Sequence, residues 1–375
     1  MKVLITGVNG FIGKNLRLHL AERADVEVVG FTREQESSQI PELLDGVDFV
    51  FHLAGVNRPR ETADFAVGNA DLTAKLCVAV ASVFSATGRR IPVVFSSSIQ
   101  AALDNPYGAS KRAAEDTLFA LQRQHGVPVH LFRLPNVFGK WCKSNYNSAI
   151  ATFCHNVARD LPIRVDDPTA RLTLVYVDDV VRRFISLMDG ADAVPNDDGF
   201  EVVAPQYTTT VGDVARLIHS FRDSRQNLMT ERVGSGMVRA LYATYVSYLP
   251  PEAFAYSVPM YRDPRGVFAE MLKTPDCGQF SYFTAYPGVT RGGHYHHSKT
   301  EKFLVIKGQA RFKFRQMHTG ETHELTTSGE KAEIVETAPG WTHDITNIGY
   351  DEMIVMLWAN EVFERQRPDT IVCPL

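Results

Sequence analysis

No run of about 18 consecutive apolar residues occurs in the chain, so the basic requirement for a membrane-spanning helix is not met. Long basic runs are missing too. With 39 Lys and Arg against 43 Asp and Glu, the net charge is −4. Such a chain lacks the electrostatic footprint of a nucleic-acid binder or of a protein held to an anionic membrane. Cysteine is scarce: Cys77, Cys142, Cys154, Cys277 and Cys373 are scattered and form no CxxC pair. An odd, dispersed set speaks for reduced thiols in a cytoplasmic protein and against a disulfide framework. Each reads first as a small buried hydrophobe. A charged segment followed by an apolar one is missing at the start, so no secretory signal is expected. Repeats and low-complexity tracts are absent as well.

What is present is ordinary for a globular protein: 375 residues, 45% hydrophobic and 22% charged. That length points to two domains. Up to about residue 190, β-branched runs such as "KVLIT", "VEVVGFT", "VDFVFHLAG", "IPVVFSSS" and "PVHLFRLP" alternate with segments of helical spacing. That alternation predicts an α/β fold, a doubly wound, Rossmann-like parallel sheet covered by helices on both faces. Near residue 245 the composition shifts to the proline-rich stretch "YLPPEAFAYSVPMYRDPRG", read as a linker. Short strands with tight turns follow it, which predicts an all-β sandwich or barrel. The expected domains are therefore 1–245 and 246–375.

Gly7, Gly10 and Gly13 form GxxGxxG between the first strand and the first helix. This pattern suits a tight turn, a close approach of backbone to a pyrophosphate, and close helix–strand packing, with phosphate at the helix N-terminus. At the end of the second strand, where an acidic residue would favour NADH, stands Arg33. A guanidinium pairs with a 2′-phosphate, so NADPH is the favoured cofactor. Glu34 and Glu36 nearby keep NADH open as an alternative. Further on, Tyr107 and Lys111 are spaced i, i+4 and project from one helical face. A neighbouring ammonium is expected to lower the phenol's pKa and let it exchange a proton with a carbinol. Ser96, Ser97 and Ser98 end the preceding strand, where a hydroxyl can bind a carbonyl oxygen.

These stretches resemble the extended short-chain dehydrogenase/reductase family of nucleotide-sugar enzymes. "TGVNGFIG", "HLAG", "SSS", "YGASK", "RLPNVFGK" and "LVYVDDVV" carry the likeness. The resemblance implies Ser98, Tyr107 and Lys111 as the catalytic set, with Tyr107 as proton donor and Ser97 as an alternative at the substrate. It implies cofactor contacts from Gly7, Gly10, Phe11, Ile12 and Gly13, from Leu53, Ala54 and Gly55, and from Tyr107 and Lys111. Asn136, and Asn145 and Asn147 in "NYNSAIATF", would meet the nucleotide sugar. His52 reads as a core histidine at a strand end.

In "GGHYHHSKTEKFLVIKG", His294 and His296 face one side of a strand and His297 the other. With Glu301 and the distant His343 they form a set suited to a divalent transition metal. The spacing Gly288-x5-His294-x-His296-x4-Glu301-x6-Gly308 matches the first cupin motif, and "PGWTHDITN" resembles the second. That likeness implies a double-stranded β-barrel holding a metal, most simply Zn2+. "RDPRGVFAEML", with Asp263, Arg265, Gly266, Phe268 and Glu270, is similar to the start of deoxysugar-nucleotide epimerases built on the same barrel. Those enzymes keep a catalytic histidine near the position of His294, where this chain places a metal ligand. Lys302, Tyr295 and His297 are therefore the candidates for a proton-abstracting base.

Across nearly its whole length the sequence resembles the CapF-type bifunctional enzymes of capsule and O-antigen synthesis. The resemblance implies C3 epimerisation and NADPH-dependent C4 reduction of a UDP-4-keto-6-deoxy-N-acetylhexosamine. The product would be UDP-2-acetamido-2,6-dideoxy-β-L-talose, on the route to UDP-N-acetyl-L-fucosamine. A homodimer held by the barrel is implied as well. The alternative is a nucleotide-sugar reductase or epimerase whose barrel only supports dimerisation.

Overall fold

The computed structural model describes every residue except 60, 259, 264, 265, 270, 271, 273–277, 362–365 and 367. Arg265 and Glu270 of the epimerase-like stretch, and Cys277, thus lie outside the described residues. The chain forms two compact units. One comprises Met1–Val137 and Thr173–Thr208, the other Phe138–Leu172 and Thr209–Leu375.

In the first unit, strands β1 (Lys2–Thr6), β2 (Glu27–Phe31), β3 (Phe49–His52), β4 (Val93–Ser98) and β5 (Val129–Leu134) make a parallel sheet ordered β2-β1-β3-β4-β5. Their near-continuous apolar runs follow from burial on both faces. Leu4, Val50, Val93 and Leu131 enter one core with Leu76, Val80, Ala114 and Leu118. Their neighbours Val3, Phe51, Val94 and Phe132 enter the other with Leu16, Leu20, Val180 and Phe184. The doubly wound sheet expected from the sequence is therefore present. The strand order reverses between β1 and β3, and such a reversal opens a ligand crevice at the carboxyl ends of the strands.

One helix among the described residues, Ala66–Thr87, is long and apolar enough to cross a membrane by composition. Here it sends Leu76, Cys77, Ala79 and Val80 into the first core. Its apolar character is that of a helix lying on a sheet, and it carries Asp71 and Lys75.

The second unit contains two five-stranded antiparallel sheets. One is ordered Gln279–Ala285, Met353–Ala359, Glu301–Lys307, Glu333–Thr337, Ala255–Ser257. The other runs Thr322–Ser328, Gln309–Gln316, Trp341–Asn347, Thr290–Tyr295, Ile371–Val372. This is the strand-rich barrel the sequence predicts. Two features went unread. Ala255–Ser257, inside the proline-rich stretch expected to be a linker, is a strand paired with Glu333–Val335. The helices Val211–Asn227 and Gly236–Ser247 belong to the same compact unit as the barrel. Arg239 donates to Ser298 Oγ at 3.0 Å and to Glu361 at 2.8 Å. Arg225 pairs with the buried Glu336.

Candidate active site and candidate metal centre

The glycine turn lies where the sheet order reverses. Gly7 has φ +70°, and a Cβ there would stand 2.8 Å from the Ala54 backbone. A Cβ on Gly13 would stand 2.3 Å from the Gly7 carbonyl oxygen. The turn Gly7–Gly13 and the segment Leu53–Gly55 therefore approach backbone to backbone. Gly10 is the N-cap of helix Phe11–Ala21 and has no side chain to close it. The first N–H groups there stay available to an anion. This cradle fits a dinucleotide. Arg33 is exposed just beyond β2.

Tyr107 and Lys111 stand on the helix Pro106–His125, which Asn105 caps through its side chain to Gly108 N. Ser98 is the last residue of β4; its hydroxyl accepts from Gln100 N at 3.2 Å and lies close enough to the Tyr107 phenol to act on its pKa. Burial raises the Tyr107 pKa, and the nearby Ser98 hydroxyl offsets only part of the rise. This direction is opposite to the lowering expected from a neighbouring lysine. Lys111 donates instead to the Ser96 carbonyl at 3.0 Å, and desolvation of the phenol dominates. Burial also brings Lys111 down to about 8, against the upward pull of Glu115.

Ser97 takes a different place from the substrate contact expected for it. Its hydroxyl is buried and donates to Glu115 at 2.5 Å, because strand alternation turns it away from Ser98. Glu115 also accepts two bonds from Arg133, at 3.0 and 2.6 Å. Asn69, in a π-helical turn, bonds both backbone groups of Val56 and donates to Ser110 on the tyrosine helix. Neither Glu115 nor Asn69 stood out in the sequence, since neither belongs to a short motif. His52 is the core histidine expected, held between Thr6 and Thr73 at 2.7 and 2.8 Å. Asn136 is exposed and donates to the Thr173 carbonyl at 3.2 Å. Asn145 and Asn147 are exposed, and Asn145 has φ +53°.

In the barrel, His294 pairs directly across from His343, after a bulge at Gly292–His294 that re-aims the strand. Ligand atoms of His294, His296, Glu301 and His343 all lie within 4.8 Å of one another. The donor chemistry tests whether a cation fits. His296 Nδ1 faces the Asp369 carbonyl and His343 Nδ1 faces the Trp341 carbonyl at 3.4 Å. A carbonyl only accepts, so each Nδ1 carries hydrogen, and in the neutral ring each Nε2 is a lone pair. Those two Nε2 atoms lie 3.1 and 3.3 Å from Glu301 Oε2. Burial lowers His343 and takes His294 to about 4, so both are neutral near pH 7. Lone pairs converging on a carboxylate are what a divalent cation satisfies, and these residues fit zinc.

The three base candidates all point elsewhere. Lys302 alternates with Glu301 on its strand and pairs with Glu336 and, at 2.9 Å, Tyr256. The Tyr295 and His297 rings meet edge to face, 5.5 Å apart, and neither belongs to the cluster of His294, His296, Glu301 and His343.

Residues 3–202, more than half of the chain, match the NAD dependent epimerase/dehydratase family. Residues 261–371 match the polysaccharide biosynthesis C-terminal domain. The whole chain is 62% identical to a Pseudomonas aeruginosa protein named UDP-2-acetamido-2,6-beta-L-arabino-hexul-4-ose reductase, covering 98% of it. It also superposes on the capsular polysaccharide assembling protein CapF of Staphylococcus aureus, with TM-score 0.65 and 37% identity over 100% of both chains. The chain belongs to the CapF-like family. A more distant relative, UDP-glucuronic acid decarboxylase 3 of Arabidopsis thaliana, is 27% identical over 52% of this CapF-like chain and 68% of its own.

Proposed function

We propose that this CapF-like chain is a UDP-sugar reductase of polysaccharide biosynthesis that also epimerises its substrate. The observation that carries the reading is the presence, in one chain, of two complete side-chain sets. One is Ser98, Tyr107 and Lys111 beside a dinucleotide crevice; the other is the three-histidine, one-carboxylate cluster of the barrel. The activity in the name of the Pseudomonas aeruginosa relative supports the reductase half.

The substrate in this reading is a UDP-4-keto-6-deoxy-N-acetylhexosamine. The product is UDP-2-acetamido-2,6-dideoxy-β-L-talose, a precursor of UDP-N-acetyl-L-fucosamine. Residues 1–245 reduce and residues 246–375 epimerise, in a cytoplasmic homodimer joined through the barrel. The free Cys77, Cys142, Cys154 and Cys373 accord with that compartment.

NADPH, when bound, supplies hydride to C4. Ser98 orients the C4 oxygen, and Tyr107 gives it a proton. A phenol held above its ordinary pKa keeps that proton until the oxygen acquires negative charge. Lys111, bonded to the Ser96 carbonyl and close to the Gly55 backbone, supplies positive charge at the cofactor crevice, and Glu115 and Asn69 fix the helix that carries Tyr107 and Lys111. In the barrel, His294, His296, Glu301 and His343 would hold zinc, which supplies a Lewis acid for the keto sugar. The C4 ketone itself acidifies the C3 hydrogen that epimerisation exchanges.

Two measurements test the reading. The full chain is incubated in D2O with the UDP-4-keto sugar, with and without NADPH, and the products are identified by NMR. Deuterium is expected at C3 in both cases and C4 reduction only with NADPH. A folded, zinc-loaded protein without C3 exchange overturns the epimerase half. In parallel, metal analysis is expected to find about one zinc per chain and a Glu301→Gln protein without it. Reduction is further expected to weaken as pH rises through about 8, where Lys111 loses its charge. The residual rate of Lys111→Met should lack that alkaline limb; a limb unchanged by the substitution would detach it from Lys111.

A further inference from the structure

The C-terminal segment clasps the histidine turn through one residue remote in sequence. The Asp369 carboxylate accepts the backbone N–H groups of His297, Ser298 and Lys299 at 2.8, 2.7 and 2.8 Å, and the Ser298 hydroxyl at 3.1 Å. Its main-chain carbonyl accepts His296 Nδ1–H. The residues that follow extend the clasp. Thr370 Oγ1 accepts Lys299 Nζ at 2.9 Å. Ile371 and Val372 pair with Tyr295 and His294. Cys373 N donates to Gly293 O at 2.7 Å, and its carbonyl accepts Thr342 Oγ1 at 2.5 Å. Residues 369–373 thus hold both stretches that carry the histidines.

We propose that Asp369 is a positioning residue of the barrel's zinc site. The inference rests on the metal reading given above. The carboxylate closes the 297–299 turn by taking three successive N–H groups. That turn sets the path from His296 to Glu301. The carbonyl fixes the other variable, the tautomer. With hydrogen held on Nδ1, the open nitrogen of His296 is Nε2, the atom facing Glu301. Loss of the carboxylate's bonds releases the segment that places this carbonyl, so the ring gains freedom to rotate or to exchange tautomers, and the site must then be organised at the expense of metal affinity. A purely structural cap would lower stability and leave the affinity of the folded protein unchanged.

The test uses the full chain as wild type, Asp369→Ala, Asp369→Asn and Glu301→Gln. Zinc affinity is measured by competition with a chromophoric chelator. Site geometry is followed by the visible bands of the cobalt(II)-substituted protein, and stability by melting in EDTA. Asp369→Ala is expected to bind zinc about 10–100-fold more weakly, with altered cobalt bands. Asp369→Asn, which keeps one acceptor oxygen, should fall between it and wild type, and it carries the measurement should the alanine variant not fold. Zinc affinity and cobalt bands that match wild type, with Glu301→Gln unable to bind, overturn the positioning role and leave the metal reading standing. The same holds if Asp369→Ala lowers only the melting temperature. A wild-type chain that binds no zinc overturns both.

Discussion

A Tyr107→Phe chain is expected to lose about 10²–10⁴-fold in NADPH-dependent reduction of the UDP-4-keto sugar, the usual worth of a positioned general acid. The substitution removes one oxygen and leaves the ring, which packs 5.6 Å from Phe65. Lys111 keeps its bond to the Ser96 carbonyl, and the glycine crevice is untouched. NADPH affinity should therefore stay within a few-fold of wild type, and the loss should fall on turnover. Stopped-flow nicotinamide absorbance with saturating substrate separates the two. The barrel cluster does not include Tyr107, so C3 deuterium exchange should persist in the same variant. Reduction at the wild-type rate would remove Tyr107 as donor. Loss of reduction and exchange together would mean that one site performs both chemistries.

What was legible in the sequence followed the reach of local geometry. Tyr107 and Lys111 declare themselves because i, i+4 spacing places two side chains on one helical face. His294 and His296 do so because a strand repeats every two residues. The parallel sheet was readable because strands buried on both faces need continuous apolar runs, as in Phe49–His52. Partners brought together only by folding were not readable. Arg225 meets Glu336 across 111 positions, and Asp369 meets His297 across 72. Asp369 follows the charged stretch "ERQRP", whose composition resembles a solvated tail. The Tyr107 pKa failed for a related reason. Spacing reports that a lysine is near, but burial, which decides the direction, depends on packing the sequence does not display.

A Glu336→Ala chain is expected to lose about 3–5 kcal/mol of stability, because it strands the buried Lys302 and the partly buried Arg225 without their carboxylate. Glu336 is 3% exposed and Lys302 1%. Burial alone would push Glu336 up and Lys302 down. Each instead keeps its charge: Glu336 outweighs burial and the opposing Arg225 to raise Lys302, and Lys302 and Arg225 together lower Glu336. Tyr242 and Tyr256 complete the group, with Arg225 4.2 Å over the Tyr256 ring. The network ties the helices Val211–Asn227 and Gly236–Ser247 to strands of the barrel. Its rupture should therefore appear as an earlier melting transition that those elements share, followed by circular dichroism in urea. Lys331→Ala serves as the control. It breaks an exposed pair with Glu333 at 3.1 Å and should cost under about 1 kcal/mol. By the same reasoning a fragment beginning at residue 246 lacks Arg225, Arg239 and Tyr242, and so exposes Glu336 and Lys302 to water. It should be recovered poorly folded, whereas a fragment that retains residues 138–172 and 209–375 keeps every partner in the network. A barrel fragment from 246 that melts cooperatively at the full-length temperature, or a Glu336→Ala chain as stable as Lys331→Ala, would show that the buried charges do not bind helices and barrel into one folding unit.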